Sequence, residues 1–170
     1  MLSSKHFKIA NFVIFQLIWI AAVIFQSAGL WACILLLAIH FAISPERKAD
    51  FLRTYKAILI GITLDFTLMQ AGVYVFEGDY FPLWLVCLWI GFVLTLRHSM
   101  AWLAEKPLYW QIILGACGGT LSYLSGSRFG AVELGMGIWV TAIILVIAWG
   151  LLLPIFYRLV NRAHPHEQLA

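Results

Sequence analysis

Charge is what this sequence has least of. Only 11% of its 170 residues are charged while 63% are hydrophobic; soluble domains carry about 25% charged and 45–50% apolar residues. A soluble fold of this length leaves too much of its surface in water to hide so many apolar side chains. The mean hydropathy of +0.93 therefore points to lipid as the solvent for most of the chain. Cysteine is scarce as well: Cys33, Cys87 and Cys117 are odd in number, far apart and set in apolar runs. That pattern excludes a disulfide framework and a C-x-x-C zinc spacing, and the three read as small packing residues. Neither a G-x-S-x-G elbow nor an H-E-x-x-H motif occurs, so no metal and no cofactor is expected. No internal repeat is visible either, since residues 1–76 and 77–170 share only hydropathy, which argues against a repeat-built transporter.

What is present is a series of apolar runs. A helix needs roughly 20 apolar residues to cross a bilayer. A window of about 19 residues yields six spans at approximately 9–25, 29–43, 56–76, 82–102, 108–125 and 132–157. The expected fold is all-α: one polytopic membrane bundle of six transmembrane helices over 1–170, with a short cytoplasmic tail at 158–170. "QSAG" between the first two spans allows only a tight hairpin, and "SPERKADFLRT" is the most polar internal stretch. Lys5, Lys8, Arg47, Lys48, Arg53, Lys56, Arg97, Lys106, Arg158 and Arg162 fall on one side of six crossings, and Arg128 alone on the other. By the positive-inside rule both termini are cytoplasmic, and the chain belongs in a bacterial inner membrane. The net charge of +3 is thus a topology signal and not a nucleic-acid footprint. The first 29 residues have the layout of a signal peptide. The apolar run resumes at once, however, and the charge bias needs an even number of spans, so this span is expected to be retained.

A few polar residues in the spans need explaining, because an ionisable group at mid-membrane costs about 2.5–3.5 kcal/mol. Asp65 in "GITLDFTL" lies some ten residues into span three, roughly 15 Å deep. Gly61, Asp65, Met69 and Gly72 share one helical face. The residue either hydrogen-bonds across helices or handles protons, a cation or a headgroup. His40 and His98 sit near the cytoplasmic ends of spans two and four, with Asn11, Gln16 and Gln111 in the same half. A cytoplasmic-facing pocket that joined Asp65, His40 and His98 would make an acid/base or metal-binding trio, though their spacing carries no metal signature. Arg97 and His98 point about 100° apart on a helix. Arg97 reads as an anchor snorkelling to phosphate, while His98, on one face with Thr95 and Trp102, turns inward. Asn11, Arg97, Ser99 and Tyr123 are candidate substrate or lipid contacts. In span five, Gly115 and Gly119, then Ser122 and Gly126, repeat at four-residue spacing, which lets helix backbones approach closely in lipid. That face serves packing within the chain, or a homo-oligomer.

"PLWLVCLWIGFVLTLRHSMAWL" and "GACGGTLSYLSGSRFGA", with "NFVIFQLIW", "AIHFAI" and "GITLDFTL", span nearly the whole chain. Together they resemble a family of small bacterial inner-membrane proteins catalogued only as a domain of unknown function. The resemblance implies a genomic neighbourhood of fatty-acid-modifying genes of the cyclopropane-synthase type, hence lipid chemistry. It marks Asn11, His40, Asp65, Trp89, His98, Ser99, Ser122 and Tyr123 as the positions that would carry function. Three functions remain open: an accessory or lipid-binding component with a lipid-modifying enzyme as partner, a lipid-active enzyme, and a small proton-coupled transporter. Membrane lipids are the expected partners in the first two.

Topology can be checked directly. A reporter active only in the cytoplasm should work when fused after Ala170 and fail when inserted at Gly130, and a periplasmic reporter should give the reverse.

Overall fold

The computed structural model describes residues 3–78 and 80–161; Asp79, Arg162 and most of the expected tail lie outside the described residues. The described residues form six α-helices: α1 Ser4–Phe25, α2 Leu30–Ile43, α3 Arg47–Gln70, α4 Leu83–Arg97, α5 Leu108–Arg128 and α6 Gly137–Val160. Among the described residues the β pairing is one isolated antiparallel bridge, Val75 to Glu133. The fold is all-α, as expected. Two helical segments, Ser4–Ile43 and Gly137–Val160, are long and apolar enough to cross a membrane, and Leu83–Arg97 is a shorter apolar helix.

Several boundaries differ from the expected spans, each for a local reason. α3 opens at Arg47 and not near 56, because "RKADFLR" is helix-compatible once Ser44, Pro45 and Glu46 have made the turn. Asp50 sits in the first turn of this helix, where a carboxylate suits the helix dipole. The same helix stops at Gln70, well before 76, because Gly72 takes the left-handed φ of +71°. The Gly72 and Val73 amides bond back to the carbonyls of Met69 and Leu68, at 3.0 Å each, in a glycine-terminated helix end. Gly72 is therefore a stop signal and not the packing residue that its place on the Asp65 face suggested. α4 ends at Arg97, short of Trp102: His98 leaves the helix at φ −121°, ψ −85°. A 3-10 turn, Ala101–Glu105, follows. The Gln111 amide holds that turn by donating to the carbonyls of Leu103, Ala104 and Lys106 at 3.3–3.5 Å. α6 runs to Val160, so residues 158–160 are helix and not tail.

Glycine sets the closest helix approaches. A Cβ on Gly61 of α3 would lie 2.5 Å from the Trp89 ring of α4. On α5, a Cβ on Gly115 would lie 2.5 Å from the Trp149 carbonyl oxygen, and one on Gly119 would overlap the Trp149 indole. The α5 glycine face is thus filled by α6 within the chain. Gly126, by contrast, has only ordinary contact with Val132, and Ser122 accepts a hydrogen bond from Trp19 Nε1 at 2.8 Å. The small-residue stripe therefore divides between packing at Gly115 and Gly119 and other duties beyond them. Outside, large apolar side chains face the surroundings, Trp31 at 78% and Trp139 at 80% exposure among them. An exposed apolar surface of that kind marks contact with lipid or a partner.

Gly61→Ala and Gly119→Ala should each destabilise the bundle by about 1–3 kcal/mol, the usual cost of overpacking. Gly118→Ala should be neutral, because a Cβ there meets nothing within 4 Å. Thermal unfolding in detergent separates the three.

Candidate functional site

α3 carries a buried carboxylate near each end. Asp65 is 1% exposed and lies close to the end of α3. Three donors converge on it: the Tyr74 hydroxyl on Oδ1 at 2.5 Å, and Trp89 Nε1 at 2.7 Å with the Tyr123 hydroxyl on Oδ2. They come from the loop after α3, from α4 and from α5, so one carboxylate joins three parts of the bundle. The tyrosine rings stack at 5.1 Å, and Trp89 stacks on Trp149 at 5.2 Å and 7°. Tyr123, expected as a lipid contact, gives its hydroxyl to Asp65.

The second carboxylate, Asp50, is fully buried. Its Oδ1 lies 2.7 Å from His98 Nε2 and accepts from Arg97 Nε at 2.9 Å. Its Oδ2 accepts from the Ser44 hydroxyl at 2.5 Å, with His40 Nε2 3.5 Å away. A carboxylate only accepts, so His98 Nε2 donates. Burial alone would raise the Asp50 pKa. The facing imidazoles of His40 and His98, the Ser44 hydroxyl and positive charge on His98 outweigh it, holding the carboxyl well below the usual carboxylate range. Arg97 also pairs with Glu46. Its guanidinium side chain is only 6% exposed, so it is an internal ion-pair partner and not an anchor snorkelling to phosphate. The expected 100° divergence of Arg97 and His98 fails because the helix ends between them, and both converge on Asp50.

His40 stands apart within this centre. It is 1% exposed, packs against Phe7, Phe41 and His98 at ring distances of 5.4–5.8 Å, and among the described residues neither ring nitrogen completes a hydrogen bond. Leaving a buried polar atom unpaired costs about 1–3 kcal/mol.

The expected trio of Asp65, His40 and His98 does not assemble. Asp50 and Asp65 are fifteen positions apart on one helix, about 22 Å by helical rise, and both histidines belong to Asp50. Sequence reasoning missed Asp50 by leaving "SPERKAD" outside the spans, although an acid in the first turn after Ser-Pro was a usable signal. Elsewhere, the Ser99 amide and hydroxyl donate to Asn11 Oδ1 at 3.2 and 2.6 Å, fixing the turn after α4 to α1. A cavity of about 400 Å³ lies among α1, α4, α5 and α6. Phe15, Trp19, Leu88, Phe92, Leu114 and Gly118 are among its lining residues, and Ser122 and Tyr123 also reach its wall.

Over residues 8–155 the sequence matches the family described as "Protein of unknown function (DUF2878)"; the chain belongs to that family. No curated protein and no solved structure matches it.

Asp65→Asn would set an amide NH₂ against either the Tyr74 hydroxyl or the Trp89 and Tyr123 donors. It should cost about 2–3 kcal/mol, the worth of hydrogen bonds to a charged group. Tyr74→Phe should cost about half as much, read as detergent-resistant folded protein after heating.

Proposed function

From within that family, we propose that the chain is a six-span bacterial inner-membrane protein, both termini cytoplasmic, that holds the acyl chain of a membrane lipid in the cavity among α1, α4, α5 and α6. The cavity carries this reading. Its volume of about 400 Å³ falls in the range of pockets that take a small molecule, about 300–1,000 Å³. Its lining is largely apolar, and its polar members are few: Gln16, Ser125 and the bonded pair Trp19 and Ser122 are among them. A lining of this kind suits a hydrocarbon chain with one polar group near its end. The outward apolar side chains of α2, α5 and α6 suit a lipid solvent, and the asymmetry of Lys and Arg supports the orientation. An accessory role, presenting a lipid to a modifying enzyme, asks nothing more of the chain.

A second reading, a lipid-active enzyme, draws support from the 2.7 Å pair of His98 and Asp50. Such a pair can pass a proton when a substrate reaches it. In that reading Asp50 replaces Asp65 as the carboxylate.

The chain purified in mild detergent should retain a lipid enriched over the bulk membrane composition, measured by lipidomics. Gly118→Leu projects a side chain into the open space beside α5 and should lower that enrichment at least fivefold without changing the melting temperature. Recovery of bulk composition alone from the wild-type chain would refute lipid holding.

A further inference from the structure

We propose that His40, Asp50 and His98 form a binding site for a divalent first-row transition-metal ion at the cytoplasmic end of the bundle. One ligand atom from each of the three lies within 4.8 Å of the other two. In a four-coordinate site with metal–nitrogen bonds of about 2.0–2.1 Å, neighbouring ligand atoms stand about 3.3 Å apart. His40 Nε2 and Asp50 Oδ2 are at 3.5 Å already. His98 Nε2 and Oδ1 are at 2.7 Å, so the ion takes the place of the proton between them and that gap opens by a few tenths of an ångström. Two imidazoles and one carboxylate form the donor set of open sites for zinc and iron(II), with a further position left for water or substrate.

His40 makes the case for a ligand and not merely an ion-pair cluster. Among the described residues neither ring nitrogen completes a hydrogen bond, and Nε2 faces Asp50 Oδ2 only at the long distance of 3.5 Å; as a metal ligand His40 uses that nitrogen fully. The surroundings also match the support that metal ligands receive. The Arg97 Nε bond to Oδ1 and the Ser44 hydroxyl on Oδ2 orient the carboxylate, as outer hydrogen bonds do in metal centres. Phe7 lies against both imidazoles, at 5.6 Å from His40 and 4.8 Å from His98, and gives the site an apolar wall. No sequence spacing announces the site, because its ligands come from the last turn of α2, the first turn of α3 and the residue that ends α4.

The test uses the full chain without a polyhistidine tag, purified in detergent, stripped with chelator and reloaded with zinc or, anaerobically, with iron(II). After desalting, elemental analysis should find about one ion per chain, and the ion should raise the melting temperature. His40→Ala empties space beside Phe7 and Phe41, so each protein is compared with its own stripped form: the variant should bind at least tenfold more weakly and gain no stability from the ion. His98→Ala should also lose the ion, and Gly118→Leu should keep it, which separates this site from the lipid cavity. Wild-type protein that binds neither ion, or His40→Ala that binds as wild type does, would overturn the proposal.

Discussion

The stacked indoles of Trp89 and Trp149 hold the rest of the bundle in place. Trp89 presses into the notch left by Gly61 on α3 and donates to Asp65, while Trp149 fills the notch at Gly119 on α5. Four helices therefore meet through two aromatic rings and two missing side chains. In lipid, hydrophobicity gives a helix no reason to prefer protein over acyl chains. Close contact and buried hydrogen bonds must supply that preference, and this pair supplies both.

The two carboxylates of α3 solve the burial problem in different ways. Asp65 is satisfied by neutral donors from Tyr74, Trp89 and Tyr123, which join the loop after α3 to α4 and α5. Asp50 is met by Arg97, His98, Ser44 and the facing imidazole of His40, which joins the last turn of α2, the first turn of α3 and the end of α4. At Asp65 every contact is a formed hydrogen bond between side chains in fixed rings. At Asp50 one buried imidazole completes no hydrogen bond among the described residues, and that difference places the unexplained chemistry at the first turn of α3. Between them runs a helix of 24 residues, too long for one site to use both.

Much of this was legible residue by residue. The "QSAG" hairpin, the close packing of Gly115 and Gly119 and the inward turn of Asp65 follow from spacing and from the cost of polar groups in lipid. Trp89 and Tyr123 were marked by the family resemblance, though not as partners of Asp65. His98 turns inward as its face suggests, but Arg97 turns with it, because the 100° rule holds only while the helix lasts and it ends between them. Asp50 does not stand out, because hydropathy reads its polar stretch as a loop, whereas α3 starts inside it. Gly72 was placed on a packing face that the helix never reaches in helical form.

The sequence by itself determined the all-helical class, the apolar runs and the residues whose burial would need a partner. These depend on composition and local periodicity, which each segment carries alone. Only the tertiary structure decided which partner each residue found. Asp65 took tyrosines and a tryptophan and not the histidines, and the histidines went to Asp50, because pairing depends on where helices stop and how closely they pack. Those stops turn on one left-handed glycine and on His98 leaving its helix, and the packing on a Cβ absent at Gly61 and Gly119. Hydropathy registers none of these.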